Sequence, residues 1–505
     1  MKVEPSFEVF SAAYAAGRPS VVYTRLVADL ETPVSSMLKL ADGRAYSFLL
    51  ESVEGGAVRG RYSMIGIKPD LVWRSSGNKA EINRRFRADT QAFEPCPQGA
   101  VESLRALVGE SRIDLPAGLP PMAAGLFGYM GYDMVRLMER LPTDKPAGLG
   151  VPDSTFLRPT VMAIFDNVED LVTIVTAVWP SSDLGARAAY NQACERLADT
   201  VADFGRNLPY RREAAETTAE LPAPDGNMTR AQCMDMVERA KEYILAGDIF
   251  QVVLSQRFQL PFTLPPFSLY RALRRLNPSP FLFFLDLGNF TIVGSSPEIL
   301  VRLRDERVTI RPIAGTRRRG ATPAEDRELA AELLADPKER AEHLMLLDLG
   351  RNDVGRVAEV GSVEVTEQFI IEYYSHVMHI VSNVEGDIRP GLDAIDALAA
   401  GFPAGTVSGA PKVRAMEIID ELETERRGVY AGAVGYFAAS GAMDTCIALR
   451  TAVVKDGKMY VQAGGGIVAD STPEGEYQEC VQKARALVRA AQEAVRFAAD
   501  RGRNR

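Results

Sequence analysis

Residues 308–347, VTIRPIAGTRRRGATPAEDRELAAELLADPKERAEHLMLL, contain the pattern that decides the fold class. The β-branched run Val308 to Ile313 predicts a strand. Two helix starts follow, because Thr322 and Asp336 each precede a proline and are followed by a glutamate three residues on. That order is typical of an N-cap, a proline at the first helical position and a capping-box acid. A strand that leads into two helices indicates a mixed chain.

Strand-like and helical runs alternate on both sides of this stretch. A Thr229–Gln232 capping box predicts a helix that begins after residue 229. Further strands are predicted at 250–254, 281–285, 290–293, 299–303, 431–438, 445–454 and 458–463, and a helix at 411–422 and a long closing helix complete the second half. The first half has predicted strands at 45–50, 71–73, 161–165 and 171–178 and a helix at 184–204. We therefore expect an α+β fold with large antiparallel sheets.

One segment separates the two halves. Residues 211–227, RREAAETTAELPAPDGN, are rich in Ala, Glu, Thr and Pro and have no apolar periodicity. The predicted organisation is an N-terminal domain at 1–225 and a second domain at 226–505.

Composition excludes several classes of function. The 505 residues contain 58 Lys plus Arg against 67 Asp plus Glu, a net charge of −9, which disfavours non-specific binding to nucleic acid or to an anionic membrane. No apolar run approaches the ~18 residues that span a bilayer, and the N-terminus does not resemble a signal peptide, so we expect a cytoplasmic protein. The five cysteines are widely spaced with no Cys-x-x-Cys, which predicts buried thiols rather than disulfides or a zinc site.

Histidine is scarce, and His343, His376 and His379 are the three in the chain. His376 and His379 lie three residues apart, so a zinc pair is conceivable, but no third ligand lies at a familiar spacing. A single catalytic or hydrogen-bonding histidine is the favoured interpretation.

Two glycine-rich stretches invite a phosphate-binding interpretation. GTVSGAPK, at 405–412, fails as a P-loop because Ala410 and Pro411 precede the lysine. QAGGGIV, at 462–468, does not match Gly-x-Gly-x-x-Gly, but we expect a turn there that either is merely tight or presents backbone N–H groups to an anion.

Three glutamates could carry metal chemistry. Glu342 interrupts an apolar helical run, while Glu476 and Glu479 share one face of the closing helix. Each alone is typical of a solvated or helix-dipole carboxylate. Two carboxylates from different helices would nevertheless suit Mg²⁺, which keeps several of its waters.

Taken together, seven motifs closely resemble the chorismate-utilising enzymes, and most specifically the large-component family of anthranilate synthases. They are PIAGTRRRG (312–320), AEHLMLLDLGRNDVGRVA (341–358), HVMHIVSNVEG (376–386), GTVSGAPKVRAME (405–417), GVYAGAVGYF (428–437), DTCIALR (444–450) and QAGGGIV (462–468). The first half resembles the same family more weakly, through FLLESVEGG (48–56) and GRYSMIG (60–66). The resemblance implies large antiparallel sheets packed as a sandwich with helices outside.

The resemblance also implies the site residues. Mg²⁺ would be held by Glu342 and Glu479, and His379 and Thr406 would be catalytic, with His379 as a general acid or hydrogen-bond donor to the departing 4-hydroxyl of chorismate. The substrate-binding positions of the family fall on Gly315, Thr316, Tyr430, Arg450, Gly464, Gly465 and Gly466. Lys412 and Arg414 stay outside the catalytic set because they could equally be structural ion-pair partners.

Two positions bear on the nucleophile. Relatives that add water carry a lysine where this chain has Gln251, and aminodeoxychorismate synthase typically carries a lysine where this chain has Ala314. The implied reaction is direct amination of chorismate by ammonia, followed by loss of pyruvate to give anthranilate for tryptophan biosynthesis. A separate glutamine amidotransferase subunit would supply the ammonia, in a heterotetramer. The alternatives are a 2-amino-2-deoxyisochorismate or aminodeoxychorismate synthase and, more remotely, a non-catalytic tryptophan-sensing paralogue.

The resemblance further implies feedback inhibition by tryptophan. The predicted regulatory residues are Ser52 from the first half and Pro280, Phe281 and Leu282 from the second. The alternative is that Phe281 and Leu282 are core strand residues and that Ser52 caps a turn.

Overall fold

A computed structural model describes residues 1–54, 58–142, 145–208, 220–374 and 377–503. These residues form 11 α-helices, 22 β-strands and three 3₁₀ helices. The helices are α1 (Phe7–Ala15), α2 (Pro33–Ala41), α3 (Ala100–Glu110), α4 (Ala186–Phe204), α5 (Arg230–Leu245), α6 (Pro266–Leu276), α7 (Pro323–Ala335), α8 (Pro337–Gly355), α9 (Ala394–Gly401), α10 (Lys412–Leu422) and α11 (Pro473–Arg503). The 3₁₀ helices are Pro121–Ala123, Tyr132–Leu137 and Gly405–Val407.

The strands are β1 (Ser20–Val27), β2 (Ser47–Glu54), β3 (Val58–Ser76), β4 (Lys79–Asn83), β5 (Glu94–Pro95), β6 (Gly125–Met130), β7 (Ser154–Asp166), β8 (Leu171–Val178), β9 (Asp225–Gly226), β10 (Gln251–Pro261), β11 (Phe281–Asp286), β12 (Thr291–Ser296), β13 (Ile299–Arg304), β14 (Arg307–Ile310), β15 (Ile313–Arg318), β16 (Glu364–Tyr373), β17 (Val377–Asp387), β18 (Gly409–Ala410), β19 (Ala433–Ala438), β20 (Met443–Ile447), β21 (Thr451–Lys455) and β22 (Lys458–Ile467).

The strands pair along one antiparallel path. In order of hydrogen-bonded neighbours it runs β10, β22, β21, β12, β11, β2, β3, β7, β6, β19, β20, β13, β14 and β17. Strands β15 and β16 flank β17, and β8 and β1 continue from β7. The pairings β2–β11 and β6–β19 join strands from before and after residue 225. The two halves of the chain therefore share one sheet system, and the division at residue 225 stays a prediction.

Side chains alternate along the strands between an inner core and an outer face covered by helices, which gives a sandwich. One buried cluster is built from strand and loop residues of both halves, among them Phe48, Phe127 and Phe283, and it contains no residue of an α-helix. Phe48 and Phe127 stack there with ring centroids 4.7 Å apart. Leu49, the next residue along β2, belongs instead to a cluster that the outer helices cover. Because successive side chains of a strand point to opposite faces, this alternation confirms the predicted α+β class.

The helix-start signals were correct. Thr229 and Gln232 form the predicted capping box at α5, and the Thr322 and Asp336 side chains accept hydrogen bonds from the first backbone N–H groups of α7 and α8. Such caps satisfy backbone donors that have no partner within the helix. The predicted helices at 184–204 and 411–422 correspond to α4 and α10.

Two predicted strands were wrong in extent. The run 308–313 is divided between β14 and β15, because Pro312 has no N–H to donate to a sheet. The run 445–454 is divided between β20 and β21, because Arg450 adopts the left-handed region at φ 47° and interrupts the extended backbone. Both breaks lie next to residues of the candidate site.

Three further predictions concern the chain as a whole. Cys233, Cys446 and Cys480 are buried as expected, whereas Cys96 and Cys194 are only half-buried. Within the described ranges, no helix is long and apolar enough to cross a membrane. Most of the predicted domain boundary, residues 211–219, lies outside the described residues.

Candidate active site

His379 lies on β17 and faces β15. Its Nδ1 is 2.8 Å from the carbonyl oxygen of Gly315 and 3.1 Å from the hydroxyl of Thr316. Because a carbonyl only accepts, Nδ1 carries the proton, and Nε2 of the neutral ring has a free lone pair. Burial lowers the pKa of His379, the Gly315 hydrogen bond opposes that shift, and the nearby Arg450 guanidinium lowers the pKa further. The imidazole is therefore neutral at neutral pH.

Arg450 lies in the break between β20 and β21. Burial lowers the pKa of its guanidinium, yet the side chain forms no hydrogen bond or ion pair with any residue that the structure describes. Arg450 is half-buried, and removing a cation even partly from water without a counter-ion is costly, so such a side chain is typical of a site where an anionic ligand supplies the missing charge. The left-handed backbone at this residue is itself strained, which is typical of functional sites.

Glu298 was missed by the sequence analysis. It lies between β12 and β13, is 5% exposed, and accepts a hydrogen bond of 2.7 Å from the Thr406 hydroxyl. Burial raises the pKa of Glu298 to about 8, so that its carboxyl group keeps a proton at neutral pH. The available signal was a lone carboxylate in SSPEIL, between two apolar strands. The predicted catalytic Thr406 thus contacts a proton-bearing carboxylic acid.

Four carboxylates gather where α8 and α11 approach the sheet. Burial raises the pKa of Glu342, and the carboxylates of Glu339 and Glu479 raise it further. Burial also raises the pKa of Glu476, whose Oε1 accepts from Ser471 at 2.7 Å. Glu479 is half-exposed and pairs with Lys483 at 2.7 Å. The two predicted metal ligands therefore lie within electrostatic reach of each other.

The residues fit a divalent cation. Oε2 of Glu476 is buried without a hydrogen-bond partner, although carboxylate oxygens are normally satisfied. No group of three or more His, Cys, Asp or Glu within the described ranges is arranged to hold a metal unaided. Mg²⁺ does not need one, because it binds through one or two carboxylates and keeps waters and substrate oxygens. Glu342 and Glu479 would hold such an ion, with Glu476 and Glu339 beside them.

The three consecutive glycines form a strand and not the expected turn. Gly464, Gly465 and Gly466 all belong to β22 and pair with β10. A Cβ on Gly465 would lie 2.4 Å from Oε2 of Glu476, and one on Gly464 would lie 3.0 Å from the hydroxyl of Tyr430. Neighbouring side chains thus occupy the space above the glycines. Because successive strand residues face opposite sides, Tyr430 and Glu476 lie against opposite faces of β22.

Gln251 lies at the first residue of β10, opposite these glycines. A Cβ on Gly466 would lie 2.2 Å from its Nε2, and its Oε1 is buried without a hydrogen-bond partner. The chain therefore has a neutral amide at the position where, by the resemblance described above, enzymes that add water to chorismate carry a lysine.

The remaining motif residues have structural contacts. Lys412 forms a buried ion pair of 2.7 Å with Asp353, and Arg414 pairs with Asp248 and Glu417 on the surface. The structural interpretation that the sequence left open therefore describes both residues. His376 lies outside the described residues.

A chain of contacts connects most of the predicted residues into one site. Gly315 joins His379 to the carboxylates, since a Cβ there would lie 3.1 Å from Glu339. Tyr374 packs edge-on against His379, with ring centroids 5.3 Å apart, and its hydroxyl interacts electrostatically with both Arg450 and Glu298. The site therefore contains a neutral imidazole, a protonated carboxyl group, a guanidinium that has no partner among the described residues, and a carboxylate cluster.

The predicted regulatory residues meet elsewhere. Ser52 on β2 and Pro280, Phe281 and Leu282 at β11 all line a cavity of about 890 Å³. Strand pairing explains the meeting, because Leu282 lies opposite Glu51 in the β2–β11 register. Leu282 is also a core residue at 1% exposure, as the alternative interpretation held. The core and cavity interpretations of Leu282 are therefore compatible, whereas the expected turn at Ser52 was wrong, because Ser52 lies within β2.

Comparison with known proteins identifies relatives of this chain. Residues 49–489 match the family model of chorismate binding enzymes. An anthranilate synthase component 1 from Cereibacter sphaeroides is 62% identical over 98% of both chains. Another, from Thermus thermophilus, is 48% identical over 92% of this chain and 96% of its own.

Solved structures agree. Anthranilate synthase component I from Streptococcus pneumoniae is 36% identical and superposes with a TM-score of 0.74, over 85% of this chain and 92% of its own. The menaquinone-specific isochorismate synthase from Escherichia coli, at 19% identity and a TM-score of 0.68, covers 96% of this chain and 98% of its own and shares the fold.

Proposed function

The chain belongs to the chorismate-binding enzymes and, among them, to the anthranilate synthase component 1 family, and from this premise we propose how its site converts chorismate and ammonia to anthranilate and pyruvate. One observation carries the proposal. Arg450 is half-buried, its guanidinium has no hydrogen-bond or ion-pair partner in the described part of the chain, and it lies within electrostatic reach of His379. Chorismate is a dicarboxylate, and one of its carboxylates would form an ion pair with the Arg450 guanidinium.

The second carboxylate belongs at the glutamate cluster. Glu342 and Glu479 would hold Mg²⁺, which when bound would take a carboxylate of the substrate and stabilise negative charge on it. The backbone of Gly464 to Gly466 runs directly beside these acids, because the glycines have no side chains to separate them. The substrate would then lie between the glycine strand and Arg450.

Glu298 is a better candidate than His379 for the general acid that protonates the departing 4-hydroxyl. Its raised pKa, about 8, gives it a proton to donate at neutral pH, whereas His379 is neutral and its one N–H is bonded to Gly315. We therefore assign to Glu298 the proton that leaves with the 4-hydroxyl as water, while nitrogen bonds to carbon 2. The surplus proton of the added ammonia returns to the Glu298 carboxylate. The acid is thereby regenerated.

His379 then suits the second step. Its free Nε2 can remove the proton from carbon 2 as the bond from carbon 3 to the enolpyruvyl oxygen breaks. The ring becomes aromatic, and the proton ends on the methylene carbon of pyruvate. This assignment revises the role of acid or donor that the resemblance implies for His379.

Gln251 and Ala314 support ammonia as the nucleophile. The unpartnered, buried Oε1 of Gln251 can accept a hydrogen bond from ammonia, but a neutral amide cannot deprotonate water. Ala314 offers no amine of its own. A separate second component is implied by the name component 1 of the relatives; we propose that it is a glutaminase that delivers the ammonia within a cytoplasmic heterotetramer.

The cavity lined by Ser52 supports a regulatory role for this region. Its volume, about 890 Å³, lies in the ~300–1,000 Å³ range of small-molecule sites, and it contains Ser52, Pro280, Phe281 and Leu282. We propose that tryptophan binds there and inhibits the enzyme.

The test is an assay of Arg450→Met beside wild type, with chorismate, ammonium and Mg²⁺, that follows anthranilate fluorescence. Wild type should form anthranilate without a partner. The variant should lose at least ~100-fold in kcat/KM, about 2.7 kcal/mol, because a charge-assisted pair with the substrate is removed. Arg414→Met, which removes a surface ion pair instead, is the control and should remain active. Wild-type kinetics in Arg450→Met would refute the proposed substrate site.

A further inference from the structure

Tyr374 forms a wall that the two sites share. It is 7% exposed and follows β16 directly. On one side its ring packs edge-on against His379, with an interplanar angle of 70°. On the other side it lines the cavity that contains Ser52 and Phe281. Tyr374 therefore contacts the proposed base directly and the cavity as well.

The hydroxyl of Tyr374 is tied to a charged pair in the same cavity wall. It donates a 2.8 Å hydrogen bond to Glu372, and Glu372 in turn pairs with Arg311. Arg311 and Glu372 both line the cavity. The backbone is fixed independently, because Arg319 donates to the Tyr374 carbonyl. The side chain can therefore respond to the charged pair while the backbone stays in place.

We propose that Tyr374 is a positioning residue that sets the ring of His379 and couples its orientation to the contents of the regulatory cavity. This inference rests on the proposed function. An amino acid brings an ammonium and a carboxylate group into the cavity, where they compete for Glu372 and Arg311. Once Glu372 re-pairs, the Tyr374 hydroxyl loses its acceptor and the ring no longer holds the imidazole of His379.

The energetics require that tryptophan and chorismate favour different arrangements of Tyr374. A ligand shifts a conformational equilibrium only by its differential affinity for the two states. Linkage is reciprocal, so that chorismate must weaken tryptophan binding by the same factor by which tryptophan weakens chorismate binding. That factor is measurable by binding alone, without turnover.

The experiment measures the tryptophan dissociation constant of the full chain by equilibrium dialysis, in ammonium-free buffer, with and without saturating chorismate. In wild type the ratio of the two constants should be at least about fivefold. Tyr374→Phe keeps the ring but removes the hydroxyl. In this variant the ratio of the tryptophan dissociation constants with and without chorismate should fall towards one, while the constant measured without chorismate stays near that of wild type. Glu372→Gln should reduce the ratio in the same direction.

A second readout addresses positioning. In tryptophan-free assays with ammonium, Tyr374→Phe should lower kcat and leave KM for chorismate nearly unchanged, because the imidazole acts in the chemical step and not in binding. Tyr243→Phe is the matched control. It likewise removes a tyrosine hydroxyl that donates to a glutamate, Glu421, but this pair lies outside the cavity lining and does not contact His379. It should behave as wild type in both measurements.

The outcomes separate the claims. A wild-type ratio together with wild-type kcat in Tyr374→Phe would overturn the proposal, as would weaker tryptophan binding at an unchanged ratio. Wild-type enzyme that forms anthranilate but binds no tryptophan would refute the coupling and the proposed inhibition, and the kcat measurement would still decide the positioning role. Wild-type enzyme that forms no anthranilate would refute the proposed function, and the inference with it.

Discussion

Glu298→Gln should change both the chemistry and the pH dependence of folding. The wild-type side chain is buried, and its pKa of about 8 stands well above the ordinary value of 4.5. The folded state therefore binds a proton between these values that the unfolded state releases. Stability is fully present below pH 4.5 and is lost as pH rises towards 8. Each pH unit in this window corresponds to ~1.4 kcal/mol.

Between pH 4.5 and 7 the loss attributable to this group is ~3 kcal/mol, slightly less than 2.5 units at ~1.4 kcal/mol each because the unfolded group is still half protonated at pH 4.5. Glutamine has the same shape and does not titrate, so Glu298→Gln should lack this dependence. The assay is urea unfolding at pH 5, 6 and 7, and the difference in unfolding free energy between variant and wild type should increase with pH in favour of the variant. Glu421→Gln, at an exposed carboxylate, is the control and should show no such trend.

Activity gives an independent measure of the same residue. Without the proton donor, kcat of Glu298→Gln should fall by ~10²–10⁴-fold. In wild type, activity should decline as the pH rises and Glu298 ionises. If Glu298→Gln unfolds with the same pH dependence as wild type, or retains most of the turnover, then Glu298 is neither protonated nor the acid.

The other predictions use substitutions elsewhere in the chain. Glu342→Gln or Glu479→Gln should abolish Mg²⁺-dependent turnover and weaken the binding of Mn²⁺, measured by electron paramagnetic resonance. The melting temperature should not fall, because each substitution removes ligand charge and not core volume. Normal metal binding in either variant would exclude that residue as a ligand. Ser52→Phe should relieve tryptophan inhibition and keep the ammonia-dependent rate, and equal titration curves would contradict the regulatory site. Gly350→Ala should stabilise the chain by ~0.5–1 kcal/mol. Gly350 lies within α8, where alanine is the better helix former, and the added Cβ would lie no closer than 3.6 Å to its nearest neighbour, Ile310. Gly401→Ala should instead destabilise it by ~1–3 kcal/mol, since its Cβ would lie 2.5 Å from Val301, and chemical denaturation compares the two.

Local signals predicted the local structure well. The caps at Thr229, Thr322 and Asp336 begin α5, α7 and α8, because a cap depends on a few consecutive residues. Strand limits were harder. The break at Arg450 depends on a left-handed backbone that nothing in its own sequence demands.

The candidate site was predictable from motifs only as a set of residues. Glu298 was missed because its raised pKa arises from burial between strands and from no neighbour in sequence. The glycines at 464–466 were expected in a turn because the side chains that fill their space come from α11, β10 and residue 430, far away along the chain. Resemblance named residues, whereas packing determines which of them carry protons and which lack partners.

The most direct measurement supplies the chain with chorismate, Mg²⁺ and ¹⁵N-labelled ammonium, without glutamine or a second subunit, and analyses the products by mass spectrometry. We expect ¹⁵N-labelled anthranilate and pyruvate in equal amounts. One chain contains the acid Glu298, the base His379 and Gln251, whose amide oxygen accepts a hydrogen bond from ammonia. Labelled 2-amino-2-deoxyisochorismate without pyruvate would contradict the assignment of His379 as base. Unlabelled isochorismate would contradict ammonia as the nucleophile.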